Sequence, residues 1–525
     1  MSITRVMGVD KNASLAASLR WALPKLLFGL LIIYNTLRLF RHAMWRDELQ
    51  ALMLAEASNT PLELFAKLKY EGHPGLWHLL LWVITRFTTD PIAMQVLHLL
   101  IALGVWVLVW RFAPFRPFEK FLLILSYYLF WEYFIVSRNY ALAALLGFGF
   151  IALSLAKPEQ RFWPWVVLGL LANTTLFATI WSLCLGAFFA LRYRHEWRSM
   201  LGGGAVYAAM LALAIATMIT APDYILVQAT PKLNFDELAL PARYVVSAFL
   251  PFYSPFAADA LRALGGWAAD LASTPFGIDP AQHLAVLIGR ADNPLLTLSV
   301  LAAPILACWS IVRDPLRTAE YAAILVGTLL FAQFWHFPGS PRHHGFLFIA
   351  LIGTVWMWRG TILPERPLSP VWIALLVLSA LGGLTTLAAD TRPFSQGRNA
   401  AAWLERHHLK DALLISSRDY AGSTVAGYLQ RPLYYLECEC YGTYIEWSTR
   451  RKHALTIEEA VERTARVMKA EGKDEAYLIF SRPEALRKQT IDPDLGFTLL
   501  KRFPPAIVGD ETFRIYRVRA KPPDN

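Results

Sequence analysis

Apolar residues in this chain run in long blocks, without the alternation of a half-buried strand or the single stripe of a surface helix. About 20 apolar residues span a hydrocarbon core. Blocks of about that length or somewhat less fall at 24–40, 91–110, 121–137, 140–156, 162–176, 177–191, 200–220, 294–312, 319–336, 344–358 and 370–388. The pattern predicts about eleven transmembrane helices, several short enough to need neighbours around their ends. The run at 74–87 (PGLWHLLLWVITRF) has about 14 residues, too few for a comfortable span. Treating it as one would also invert every later loop, so it reads as a helix in the outer interface. The first block follows Arg5, Lys11, Arg20 and Lys25 and lacks a small-residue cleavage site, which predicts an uncleaved first span.

The polar intervals orient the helices. With the N-terminus in the cytoplasm, the connections Arg111–Lys120, Lys157–Arg161, Arg192–Arg198, Arg313–Arg317 and Arg359–Arg366 lie inside, each with at least two Lys or Arg. That arrangement obeys the positive-inside rule. Loops 41–90 and 221–293, the turn His336–His344 and the tail from 390 then face outward.

At Asp390 the pattern changes. Residues 1–389 read as a transmembrane domain and 390–525 as a small soluble α/β domain on the extracytoplasmic side. Strand-like runs stand at Ala412–Ser416, Ala476–Phe480, Phe497–Leu500 and Phe513–Val518, with helical patterns near Arg398–His407 and Ile457–Ala470. Thr456 with Glu459 three residues on is a capping-box signature. The tail has no glycine-rich phosphate fingerprint.

Composition agrees with lipid as the main solvent. Of 525 residues 56% are hydrophobic and 17% charged, and 41 of the 90 charged residues fall from Asp390 onward. The net charge of +10 follows from basic cytoplasmic loops and indicates no nucleic-acid partner. Cys184 and Cys308 lie in apolar stretches as packing residues, while Cys438 and Cys440 are spaced for either a short disulfide or two metal ligands.

Candidate chemistry gathers on the outer side. Trp45-Arg46-Asp47-Glu48 sets two carboxylates just after the first span, and a carboxylate at a lipid–water boundary needs a polar cavity. Such a group can act as a general base towards a hydroxyl. Glu71-Gly72-His73-Pro74-Gly75 precedes the interfacial helix, with His73 as a candidate substrate contact. Ser137-Arg138-Asn139-Tyr140 stands where a span reaches the outside, with Arg138 suited to an anionic phosphate. The outer turn adds His336, Arg342, His343 and His344, a cluster better suited to phosphate than to a metal, since the turn contains no Cys or carboxylate.

In this order, and on one side of the membrane, these motifs resemble the GT-C superfamily of membrane glycosyltransferases, which includes protein O-mannosyltransferases and bacterial cell-envelope sugar transferases. The resemblance rests on Asp47-Glu48 after the first helix, Gly-His-Pro-Gly-Leu-Trp at 72–77, Ser-Arg-Asn-Tyr-Ala-Leu at 137–142 and the soluble tail. It implies a GT-C-like polytopic α-helical fold and an inverting transferase in the cell inner membrane. The donor would be a sugar on a polyprenyl phosphate, and the acceptor an envelope glycan, lipid or protein. By resemblance Asp47 and Glu48 are catalytic, Asp47 as base. His73, Arg138, Asn139, Tyr140, Arg342 and His343 are the candidates for holding substrate and donor phosphate. A leaving phosphate already carries charge well, so no second carboxylic acid is required, unlike in most glycosidases. Where family members often have a second Pro, this chain has Gly75. An additional acidic residue in a later loop has candidates in Asp223 and Asp236-Glu237. Some members use a divalent metal and others none, and the sequence selects neither. The competing readings are a transporter or flippase, which would place ionisable groups near the midplane of paired halves, and a non-catalytic envelope scaffold. Glu132 is the clear acidic residue well within a span.

Overall fold

The protein is described by a computed structural model, covering residues 11–225, 238–252, 294–335, 337, 339–361, 368–481 and 495–520. Asp236, Glu237 and His336 lie outside the described residues.

The chain is a polytopic helical membrane protein carrying a small sheet domain. A long first helix, α1 (Lys11–Arg41), leads into the outer segments α2 (Arg46–Glu56), α3 (Pro61–Lys67) and α4 (Leu76–Thr85). The bundle continues with α5 (Ile92–Phe112), α6 (Pro117–Ile124), α7 (Asn139–Ala156), α8 (Trp163–Ala172), α9 (Leu176–Arg192) and α10 (Trp197–Met218). It closes with α11 (Ala239–Phe249), α12 (Pro294–Val312), α13 (Pro315–Phe334), α14 (Pro341–Arg359) and α15 (Pro370–Thr385). Among the described residues, five helices are long and apolar enough to cross a membrane: Ala22–Arg41, Ile92–Phe112, Asn139–Ala156, Arg194–Met218 and Leu295–Val312. Exposed Leu and Ile side chains such as Leu26, Ile33, Leu100 and Leu298 stud their outer faces, as expected where the solvent is lipid.

The block at 121–137 is not one helix. It breaks after α6 and resumes as a π-helical turn, Tyr128–Glu132. The cause is tertiary. Gly383 of α15 presses its backbone so near that a Cβ there would lie 2.0 Å from the Leu125 carbonyl oxygen. Carbonyls within and around the turn find side-chain donors: Asn35 Nδ2 reaches Phe130 O at 2.8 Å and Trp106 Nε1 reaches Leu129 O at 2.8 Å. Irregular backbone inside a bundle persists only when its polar groups are paired in this way.

The tail forms a six-stranded sheet of order β3-β2-β1-β4-β6-β5. Its strands are β1 (Leu414–Ser417), β2 (Leu433–Tyr435), β3 (Cys440–Gly442), β4 (Glu475–Phe480), β5 (Leu495–Arg502) and β6 (Arg514–Ala520). The central strand β1 runs parallel to β2 and β4, whereas β3, β5 and β6 pair antiparallel to their neighbours. Helices α16 (Gly397–Arg406), α17 (Asp419–Leu429) and α18 (Ile457–Ala470) cover the sheet. Both helices predicted in the tail are present, and Thr456 and Glu459 make the expected reciprocal cap, at 3.2 and 2.9 Å. The short β2 and β3 and the helix α17 had no legible pattern. Cys438 and Cys440 form a disulfide.

Candidate active site

One turn of helix sets the site. Helix α2 starts at Arg46, and Glu48, at its third position, reaches back to the Trp45 N–H at 3.2 Å. The same carboxylate accepts the Ser137 N–H at 2.6 Å and pairs with His42 Nε2 at 2.8 Å. Burial alone would raise its pKa, but His42 and the two backbone donors outweigh it and hold Glu48 below the usual carboxylate value. Both its oxygens are thus engaged in joining the end of α1, the start of α2 and the loop before α7. Glu48 does not line the cavity beside it.

Asp47 does. Successive helical residues point about 100° apart, so the neighbour of a buried residue faces elsewhere. Its Oδ2 pairs with Arg342 Nη2 at 2.6 Å, its Oδ1 lies 3.9 Å from Arg46 Nε, and Arg138 Nη1 donates to its main-chain oxygen. Burial pushes the Asp47 carboxyl up, yet Arg342, Arg138 and Arg46 together hold it below its usual value. Its place in the first turn of α2 adds the favourable helix-terminal field, worth about 0.3–1 kcal/mol. Asp47 is therefore an anion gripped by cations.

The cavity measures about 850 Å³. Its polar wall combines Asp47, Gln50, Glu71, His73, Arg138 and Arg342. Gly72, at φ +67°, makes the turn that admits Glu71 and His73 together. Burial raises Glu71 to about 7, although Gln50 Nε2 donates to it at 2.7 Å. Burial likewise drives His73 down to about 3, helped by Arg138, so its imidazole is neutral at physiological pH. Arg138 and Arg342 each keep a buried Nε–H with no partner among the described residues, so both guanidinium groups retain donor capacity. Tyr140 stacks on Tyr133 at 5.8 Å and meets His343 edge-on at 5.5 Å. His343 Nδ1 accepts the Ser340 N–H at 2.9 Å, which orients its ring against the cavity.

A second wall is apolar: Leu176, Phe177, Ile215, Ile219, Phe331 and Trp335. Ile215, Ile219 and Trp335 are at the same time 49, 63 and 43% exposed, so this wall continues onto the outer face of the bundle. A third wall comes from the sheet domain, through Tyr420, Ser423, Ile445 and Trp447.

Of the residues singled out from sequence, Asp47, His73, Arg138, Tyr140, Arg342 and His343 converge on the cavity. Glu48 and Asn139 do not; Asn139 Nδ2 is used on Thr174 O at 2.8 Å. Asp223 also lies off the cavity lining, bound to the Tyr70 hydroxyl at 3.1 Å. Sequence reasoning passed over Gln50, Glu71, Tyr224, Tyr420 and Trp447. Glu71 shares a motif with His73 and was within reach of it; the others carry no local signal. Among the described residues no group of three His, Cys, Asp or Glu is placed to hold a metal ion.

These walls define a membrane protein with one large amphipathic cavity, anionic and cationic at one side and apolar at the other. No protein-family description matches the sequence, and no curated protein matches it. Solved structures similar to it include ArnT from Cupriavidus metallidurans in the apo state and ArnT from the same organism bound to undecaprenyl phosphate. Both are 15% identical, with 95% of this chain and 98% of that chain covered, at TM-scores of 0.43 and 0.41.

Proposed function

We propose that the protein is an inverting glycosyltransferase that moves a hexose or pentose from a polyprenyl-phosphate donor to an acceptor hydroxyl, with Asp47 as general base. The observation that carries this reading is the meeting, in one cavity, of a carboxylate, two arginines and an apolar wall that continues onto the lipid-facing surface. The apolar wall suits a polyprenyl chain arriving from the bilayer. Arg138 and Arg342 suit the phosphate, and Arg342 is shared between that phosphate and Asp47.

The shared arginine couples binding to basicity. When a donor phosphate takes Arg342, Asp47 loses the cation that most lowers its proton affinity and becomes a better base. The acceptor oxygen then bonds to the anomeric carbon as its proton passes to Asp47. The carbon–oxygen bond to phosphate breaks with its electron pair leaving on the phosphate, where Arg138 and Arg342 stabilise the charge. A single displacement inverts the anomeric centre. The basic loops support a topology with the N-terminus in the cytoplasm and the cavity and sheet domain on the extracytoplasmic side of an inner membrane.

Asp47→Asn keeps the shape and removes the proton acceptor. Transfer from a polyprenyl-phosphate sugar should fall about 10²–10⁴-fold with the protein still inserted and folded. Undiminished transfer would remove Asp47 from the role. Arg138→Ala should instead weaken donor binding, read as a raised donor KM, and an unchanged donor KM would count against a phosphate contact.

A further inference from the structure

The sheet domain does more than cover the bundle. Tyr420, in the first turn of α17, and Trp447, in the loop after β3, both line the cavity across the chain from Asp47. Their rings lie 6.4 Å apart with 27° between their planes, forming one aromatic surface.

That surface is held firmly. Arg451 and Asp419 make a buried two-point ion pair at 2.9 and 2.5 Å, tying the Trp447 loop to the start of α17. Gln50 of α2 holds Ile445 by both main-chain groups, at 2.7 and 2.9 Å. The Ile225 N–H reaches Trp447 O at 3.1 Å. Arg46, beside Asp47, lies 5.1 Å from the Tyr420 ring centre, and Arg451 lies 4.9 Å from that of Trp447. The catalytic carboxylate, the donor side and the aromatic surface are therefore fixed in one frame.

The chemistry of this wall is specific. Two of the cations beside it are already paired, Arg451 with Asp419 and Arg46 with Asp510, which weakens its pull on an anion. Among the described residues no strand lines the cavity with its edge, the seat of an added peptide strand. What remains is the aromatic area that Arg46 and Arg451 do not cover, among the hydroxyl-bearing lining residues Tyr420, Ser423 and Tyr224. A sugar ring is the matching ligand: its C–H face carries slight positive charge and meets the negative face of an aromatic ring, while its hydroxyls find partners at the rim.

We infer that Trp447 and Tyr420 form an acceptor subsite for a carbohydrate ring, so that the hydroxyl glycosylated by this protein is itself carried on a glycan. The inference rests on the glycosyltransferase reading for its function, but its test reads binding without donor or turnover and so stands apart from the Asp47→Asn assay.

The full-length protein in lipid nanodiscs is titrated with a panel of neutral tetrasaccharides built from glucose, mannose, galactose and N-acetylglucosamine, and with a control peptide and a phosphorylated lipid headgroup. At least one tetrasaccharide should bind. Trp447→Ala and Tyr420→Ala should each weaken that binding about tenfold or more, Trp447→Phe should retain most of it, and Tyr441→Ala, on the exposed face of β3, should leave it unchanged. Binding by no tetrasaccharide, equal affinity in Trp447→Ala and Tyr420→Ala, or a Trp447-dependent preference for the peptide or headgroup would overturn the subsite.

Discussion

At the scale of single residues, the cavity holds two carboxylates in opposite states. Asp47 is kept ionised by three arginines, whereas Glu71, with one amide donor and a buried setting, is raised to about 7. Glu71 has a usual value of 4.5, so between there and pH 7 the folded protein holds a proton that the unfolded chain has released. Stability contributed by that proton is complete below about pH 4.5 and fades as pH rises through 7. Glu71→Gln keeps the hydrogen-bonding shape without the ionisation. Its melting temperature relative to wild type should therefore increase from pH 5 to pH 8, measured by scanning fluorimetry in detergent. A constant difference across that range would refute the assignment. Of the motif residues, Asp47 and Arg138 were readable because charge beside a span is expensive and thus conspicuous. Choosing Asp47 over Glu48 was not possible from adjacency, since only the rotation of α2 decides which one meets the cavity.

Among the elements, the start of α2 and the broken block at 121–137 matter most. Glu48 ties three segments through buried bonds, and removing it strands His42 and two backbone donors. Glu48→Ala should cost about 3–5 kcal/mol, by analogy with other broken buried pairs, and lower thermal stability of the apo protein. Glu48→Gln, which retains part of the bonding, should lose less. A Glu48→Ala protein that melts like wild type but fails in transfer would instead restore Glu48 to the chemistry. Gly383 makes a separate test of the break at residues 125–128. A Cβ there meets a main-chain oxygen, which cannot rotate away, so Gly383→Ala should destabilise by about 1–3 kcal/mol. The apolar block at 121–137 could not announce its own break, because the pressure comes from α15, some 250 residues later.

Across the whole molecule, the sheet domain and the bundle share the site. Arg46 joins them: its main-chain N–H reaches Glu511 Oε1 at 3.2 Å and its guanidinium pairs with Asp510 at 2.8 Å. Arg38 likewise grips Asp390 at 2.7 Å, where the chain leaves the last bundle helix. Burial raises Glu511 to about 8 despite Arg46, so at neutral pH it is mostly protonated and Asp510 supplies the charge that pairs with Arg46. Arg46→Ala should loosen the docked domain, seen as faster hydrogen exchange at Gly509–Glu511 and along the Trp447 loop. Unchanged exchange there would mean that other contacts alone hold the domain.

By itself the sequence determined what is additive along the chain: the apolar blocks, their polar punctuation and the shift to a charge-rich composition from Asp390. Burial in lipid depends on the composition of a segment, so it can be summed locally. Tertiary structure decided what depends on direction and distance. It turned Asp47 towards Arg342, nearly 300 residues away, and turned Glu48 into a structural tie. It brought Tyr420 and Trp447 of the tail to a cavity opened by the first loop. No local pattern encodes such meetings, because they follow from the packing of helices and sheet as whole bodies.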